Sequence, residues 1–230
     1  MVVTTNIGID AGGGYDPFER GPAGLIGATV LDRYILHNVL FRSRHTLIFE
    51  AQPRGRAERV QAHLLRMDPE RDVDGAMSRA FQDQAQAIQQ CVESSVAPLI
   101  DAGIAGPGVA VAIMALEPGP RLSDVLYDQR LPATVVIRLG AQLADALADL
   151  HRQNVQVGAL SPERVHLFSA EWHLQLLPSA WLAEDGLTAL FSLEAPQARP
   201  LTDLYNLGTL LHRCVVDPQT GTMPDEPLAQ

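Results

Sequence analysis

The sequence predicts an α+β fold in two parts, a β-rich first half with one long helix and a mainly helical second half. Short runs of β-branched and aromatic residues, separated by turn residues, recur between residues 34 and 65. Residues 132–151 instead carry Val and Leu at helical spacing. The strand-like runs therefore come first in the chain, and the long helix follows them.

The first half should contain five strands and one helix. Its helix covers residues 76–92, which are rich in strong helix formers and place Phe81, Ala85 and Ile88 near one face. Pro53 and Gly55 mark a turn between the second and third strands. The predicted strands are residues 34–40, 47–51, 60–65, 96–103 and 109–116.

The second half should be built on the helix over residues 132–151. Pro132 suits the start of that helix because proline tolerates the first helical turn. Two strand-like runs, 165–168 and 173–177, then form a hairpin. A short helix is expected at 121–126. The apolar stripe of the long helix consists of Val135, Leu139, Leu143, Leu147 and Leu150.

Composition places the chain among globular proteins without a membrane segment. The 47% apolar and 19% charged residues are ordinary for a globular domain, and no apolar run reaches the roughly 18 residues of a spanning helix. The first residues lack a basic start followed by an apolar block, so no secretory signal is expected and the predicted location is the cytoplasm. A net charge of −10 with scattered acids argues against a nucleic-acid partner.

All 17 basic residues are Arg, and the chain contains no Lys. Chemistry that needs an ammonium group, such as a Schiff base or a phosphate-loop lysine, is therefore excluded. Arg-only usage with abundant Ala and Gly also suggests a GC-rich bacterial genome. Cys91 and Cys214 stand alone without metal-ligand spacing, so buried free thiols are expected and no metal site is predicted.

The chain begins with a Gly-rich segment, residues 1–27, interpreted as a flexible leader. Residues 7–14 resemble the first phosphate loop of sugar kinases and actin-like ATPases, in which backbone amides hold phosphate. The residues after that turn are loop-like instead of a second strand, which favours the leader. At the other end, residues 217–230 are interpreted as a tail.

The stretch over residues 148–182 resembles the catalytic segment of eukaryotic-type Ser/Thr protein kinases. In that family a helix ending in Leu-His is followed by H-R-D-L-K-P-E-N and a hairpin. This chain has Leu150 and His151 at the helix end, with Leu160, Pro162 and Glu163 in the loop. The resemblance implies a two-lobed protein-kinase-like fold. Its N-lobe would be residues 28–116 and its C-lobe residues 117–216, truncated after the central helix.

The resemblance also places family positions in the predicted N-lobe. His63 falls on the third-strand Lys that binds phosphate, and a shorter, largely neutral imidazole cannot replace an ammonium group there. Gln84 falls on the helix Glu that pairs with that Lys. Phe41 is one of three residues that occupy positions of the family's phosphate-loop glycines. The charges of the Lys–Glu pair are both absent.

In the predicted C-lobe the resemblance places Ala159 on the catalytic Asp and Ser161 on the loop Lys. Arg164 falls on the metal-binding Asn and Pro178 begins the segment that replaces D-F-G. None of these side chains supplies a carboxylate for proton acceptance or an oxygen ligand for Mg²⁺. Asp203, in contrast, falls on the family's structural Asp, which braces the catalytic-loop backbone.

These substitutions predict a catalytically inactive pseudokinase, without cofactor, that acts as a protein-interaction or regulatory scaffold. The predicted partner is another protein, with an active kinase or other signalling protein among the candidates. Two alternatives stay open. One is a module that senses a nucleotide or small ligand without catalysis. The other is an atypical phosphotransferase with a rewired site, in which Arg164 or His63 would supply positive charge.

Overall fold

The structure is a computed structural model, and it describes residues 17–67, 72–91, 96–106, 108–116, 119–155, 157, 160–168, 171–174 and 200–216. The chain divides into two compact units. Unit 1 contains the described residues up to Gln89 and from Pro98 to Leu116. Unit 2 contains residues 90, 91, 96 and 97 and the described residues from Gly119 onwards.

Unit 1 is built on a six-stranded antiparallel sheet in the order β1-β2-β3-β4-β6-β5. Helix α2 (Ala76–Gln89) packs against β5 and β6. All five strands expected from the sequence are present, and the additional two-residue β1 pairs with β2. The strands are β1 (Thr29–Val30), β2 (Tyr34–Arg42), β3 (Thr46–Pro53), β4 (Val60–Arg66), β5 (Leu99–Gly106) and β6 (Val109–Ala115).

The two faces of this sheet bury different sets of side chains. One face contributes alternate residues of β3, β4 and β6 to a single apolar cluster that includes Phe49, Leu64 and Val111. The opposite face carries the intervening residues, among them His63 and Ala112, which are cross-strand partners. Since β4 and β6 are buried on both faces, every position in their centre is shielded from water.

Residues 17–27 are packed, so the prediction of a flexible leader is wrong for this part of it. Helix α1 (Pro17–Arg20) and a 3₁₀ turn (Pro22–Leu25) bring Phe18 and Leu25 into the apolar cluster of unit 1. Arg42 of β2 donates hydrogen bonds to the carbonyl oxygens of Phe18 and Glu19. The Gly-rich composition of this segment did not indicate that Phe18 and Leu25 pack against the sheet face that carries the apolar cluster. Residues 7–14 lie outside the described residues.

Helix α2 ends at Gln89, a little before the predicted end at residue 92. Asp72 holds its start, because Oδ1 accepts hydrogen bonds from the backbone N–H of Met77 and Ser78, at 2.7 and 3.2 Å. The buried face consists of Met77, Phe81, Ala85 and Ile88. Side-chain acceptors at a helix start satisfy N–H groups that have no partner inside the helix.

The described residues of unit 2 form three helices and a β-hairpin, β7 (Val165–Phe168) with β8 (Glu171–Leu174). Its helices are α3 (Leu122–Asp128), α4 (Ala133–Arg152) and α5 (Pro200–Val215). The buried stripe of α4 uses Val136 where the sequence predicted Val135, because the stripe is rotated by one residue at the helix start. β8 begins earlier than the predicted run 173–177, whose last three residues lie outside the described part.

Helices α4 and α5 pack closely against each other. A β-carbon added to Gly140 would lie 3.0 Å from Leu211 Cδ1. The two helices can approach this closely because glycine has no side chain. At the other end, the N–H of Leu131 donates to the carbonyl oxygen of Cys214 at 3.0 Å. Within the described residues, no helix combines the length and apolar character that crossing a bilayer requires.

Candidate functional site

The candidate site of unit 1 is centred on His63 in the middle of β4. Its side chain is 1% exposed and pairs across the sheet with Ile48 of β3 and Ala112 of β6. The ring nitrogen Nε2 lies 3.0 Å from Oε1 of Gln61, two residues earlier on the same face of the strand. His63 is therefore held inside the sheet by a neutral amide and by apolar neighbours.

Gln61 was missed by the sequence reasoning as a partner of His63. The signal was available in principle, since residues two apart on a strand share one face. Gln61 is itself 8% exposed, and burial of an amide next to an imidazole lets each satisfy a polar atom of the other. The predicted partner position, Gln84, lies on α2 and is half-buried.

The candidate site of unit 2 surrounds a 3₁₀ turn over Pro162–Arg164. Ser161 precedes the turn with an extended backbone and a half-buried side chain. Arg164 ends the turn, and its N–H donates to the carbonyl oxygen of Ser161 at 3.0 Å. Its guanidinium cannot ligate a metal ion, because it has donors and no acceptor. Ala159 and Pro178 lie outside the described residues.

Asp203 of α5 is a fully buried, hydrogen-bonded polar residue of unit 2. Its side chain is 0% exposed, and Oδ2 accepts a hydrogen bond from the backbone N–H of Val157 at 3.0 Å. The same oxygen lies 2.8 Å from Nε2 of His151, at the end of α4. A single carboxylate oxygen on α5 thus connects to the end of α4 and to the backbone that follows it.

The pair of His151 and Asp203 gives the histidine a structural partner. The sequence places His151 at the end of a helix and indicates no partner for it. Its bond to Asp203 orients the ring toward α5. Because the carboxylate is buried, the hydrogen bonds of Val157 and His151 replace the water it loses on folding.

Both cysteines are free thiols, as the sequence predicts. Cys214 is buried, whereas Cys91 is half-buried. Burial raises the pKa of the Cys91 thiol to about 11, with the Asp149 carboxylate adding to the shift. Burial also raises the pKa of Cys214 to about 11, although the guanidinium groups of Arg213 and Arg130 oppose it. Neither thiol is activated as a nucleophile, since activation requires a lowered pKa.

Among the described residues, Tyr34 also has a strongly shifted pKa. Burial raises its pKa to about 12, and the Asp101 carboxylate contributes through its charge and a hydrogen bond. Asp101 itself pairs with Arg33 at 2.6 Å. In the described part of the chain, no three His, Cys, Asp or Glu side chains are grouped so that they could hold a metal ion.

Solved structures similar to this chain include kinase domains. Three of them are structures of the PknI kinase domain of Mycobacterium tuberculosis. Two have TM-scores of 0.65 at 18% identity and cover 86% and 88% of this chain, and 81% of their own. A substituted form of the same domain has a TM-score of 0.64 at 17% identity, covering 86% of this chain and 81% of its own.

No protein-family profile matches the chain. No curated protein matches it either. At this level of identity, structural similarity establishes the fold and leaves the chemistry to be argued from the residues. The observed β-rich first part, with its long helix α2, and the helical second part agree with the predicted α+β class. The chain therefore has a protein-kinase-like fold.

Proposed function

We propose that this protein is a catalytically inactive pseudokinase that serves as a protein-interaction and regulatory scaffold. The observation that carries the proposal is the environment of His63. A kinase needs a cationic side chain at this strand position to reach nucleotide phosphates. His63 is instead enclosed in the sheet, with Nε2 3.0 Å from the Gln61 amide oxygen.

The remaining positions of the phosphotransfer apparatus support the same proposal. Gln84 on α2 is neutral, so no ion pair with a strand cation is available. Ala159 stands where proton acceptance needs a carboxylate, and Arg164 stands where Mg²⁺ needs an oxygen ligand. A guanidinium at that position would repel the metal ion. Phosphoryl transfer depends on positioning and charge stabilisation, and each of these residues removes a part of it.

Retention of the frame supports a role that depends on shape. Asp203 keeps two hydrogen bonds that connect α5 to the chain at Val157 and His151. Such a buried network is costly to leave half-satisfied, so it is expected to persist only where the local backbone geometry matters. A scaffold requires a defined backbone, whereas it does not require a catalytic carboxylate.

Helix α5 carries the surface that favours a protein partner. Its buried face includes Asp203, Leu207 and Leu210, while Leu201 and Tyr205 are 71% and 75% exposed on the first turns. Leu204, on the same exposed stripe, is 51% exposed. Residues spaced by three and four positions form one helix face. Contiguous exposed apolar side chains are typical of sites where another molecule binds.

A site-specific cross-linking experiment tests the scaffold role. A photoreactive residue at position 205 should capture one defined protein from cells that make this chain, and Leu204→Asp should abolish the capture. The same residue at position 138, which is exposed on α4, is the matched control and should capture nothing specific. Equal capture at both positions, or capture unaffected by Leu204→Asp, would contradict the scaffold role. Transfer of labelled phosphate from ATP to any protein would contradict the pseudokinase assignment.

A further inference from the structure

A pocket of about 280 Å³ lies in unit 2, among α3, the Pro162–Arg164 turn and the end of α5. Two arginines line it, Arg130 and Arg213, and no carboxylate is among its described lining residues. The rest of the wall is Ser123, Leu126, Tyr127, Pro162 and Val216. A pocket with two guanidinium groups in a chain of net charge −10 is a local reversal of sign.

The Arg130 side chain makes a hydrogen bond to the backbone of α3. Its Nη1 donates to the carbonyl oxygen of Leu126, which satisfies an acceptor near the C-terminal end of α3. Its Nε is buried and has no hydrogen-bond partner among the described residues. Capping of the helix therefore explains one nitrogen of the guanidinium, while the Arg130 side chain also lines the pocket.

Arg213 lies in the last turn of α5 and is exposed. No hydrogen bond or ion pair joins it to the residues described in this structure. Arg130 and Arg213 line the same pocket of about 280 Å³, so an anion bound there would experience two positive charges.

We infer that this pocket binds a phosphate monoester. A guanidinium presents planar donors that match phosphate oxygens, and two of them favour a dianion over a monoanionic carboxylate. Ser123 and Tyr127 add hydroxyl donors at the wall, whereas Leu126, Pro162 and Val216 offer apolar contact to the carbon part of the ester. Binding here is independent of phosphoryl transfer at the kinase-like positions, so either can fail without the other.

Titration of the full chain with O-phosphoserine, followed by ³¹P NMR at low salt, tests this site. Saturable binding should weaken about tenfold or more in Arg213→Gln, because a charge-assisted hydrogen bond is lost. Arg130→Gln should have a similar effect, although it also removes a helix cap. Arg213 is exposed, so its substitution keeps the test valid if Arg130→Gln fails to fold.

The matched control is Arg138→Gln, which removes an equal charge from an exposed position of α4 outside the pocket. Its affinity for phosphoserine should equal that of the unmodified chain. Titration with inorganic phosphate separates the two sources of the phosphoryl group: weaker binding than phosphoserine supports an ester, while equal binding overturns the ester and leaves a free-phosphate site. Absence of saturable binding at 10 mM phosphoserine, about the weakest affinity worth assigning to a site, overturns the proposal, as does equal weakening in Arg138→Gln.

Discussion

The two best-buried polar positions of the candidate sites, His63 in unit 1 and Asp203 in unit 2, are satisfied in opposite ways. His63 pairs with Gln61, two residues away on the same strand. Asp203 pairs with Val157 and His151, which are 46 and 52 residues away in the chain. The first contact fills a place within one strand, whereas the second joins a helix to a distant loop and to another helix.

This difference separates what a kinase-like frame needs from what kinase chemistry needs. Long-range hydrogen bonds such as those of Asp203 define how segments of unit 2 meet, so their loss should disturb the fold. A local pair such as His63 with Gln61 affects only one strand, and other buried pairs would also fit at these positions. Under the proposed function, the chain needs the first kind of interaction and does not need kinase residues at positions of the second kind.

The largest effect is expected for Asp203→Ala. The substitution leaves the buried N–H of Val157 and the His151 ring without their acceptor, which should lower the free energy of unfolding by about 3 kcal/mol. Asp203→Asn keeps one acceptor oxygen and should cost about 1 kcal/mol. Urea denaturation measures both, and Asp145→Ala, at an exposed position of α4, is the control. Equal stability of Asp203→Ala and the unmodified chain would show that the network is not structural.

A smaller effect should follow from placing lysine at position 63. His63→Lys puts an ammonium group in a buried position beside a neutral amide, at a cost of about 2 kcal/mol in unfolding free energy. Adding Gln84→Glu should recover about 1 kcal/mol if α2 faces this strand position as the resemblance implies. Gln86→Glu, exposed on the same helix, should recover nothing. If thermal unfolding shows the same gain in stability for both Glu substitutions, the placement of Gln84 opposite His63 is contradicted.

The last effect is absent at neutral pH and develops only in alkaline solution. Cys214 has a folded-state pKa of about 11 against an ordinary value of 9.0, so the folded chain keeps a proton that the unfolded chain releases. Stability is therefore complete below pH 9 and falls as pH rises toward 11. Cys214→Ala should flatten this decline in the unfolding free energy without removing it, because Cys91 has a similarly raised pKa. An unchanged slope in Cys214→Ala would contradict the burial of this thiol.

The elements of the fold followed from periodicity, and the contacts of the site did not. Helix α4 was predictable because Leu139, Leu143 and Leu147 repeat at helical spacing, and the burial of that face needs no knowledge of its neighbour. The register of the sheet places His63 opposite Ala112, and no local pattern encodes that pairing. Residue types at the site were readable from the sequence, whereas their partners required the tertiary structure.

The packed N-terminal residues and the arginine pocket show the same limit. Phe18 and Leu25 lie in a stretch whose glycines and prolines suggested a leader, although two well-placed apolar side chains were enough to attach it to the sheet. Arg130 and Arg213 are 83 positions apart in sequence, and only the packing of α3 and α5 brings them to one pocket. Residue spacing in the sequence predicts contacts within one helix or strand, and it does not predict contacts between separate elements.

The most direct test of the central claim is calorimetric titration of the full chain with ATP at millimolar concentration, with and without Mg²⁺. The account predicts no metal-dependent heat, because the residues at the metal positions offer no oxygen ligands and His63 supplies no cation. Repeating the titration with Arg213→Gln removes heat that comes from phosphoryl binding at the arginine pocket. Binding that requires Mg²⁺ and survives Arg213→Gln would contradict the pseudokinase assignment.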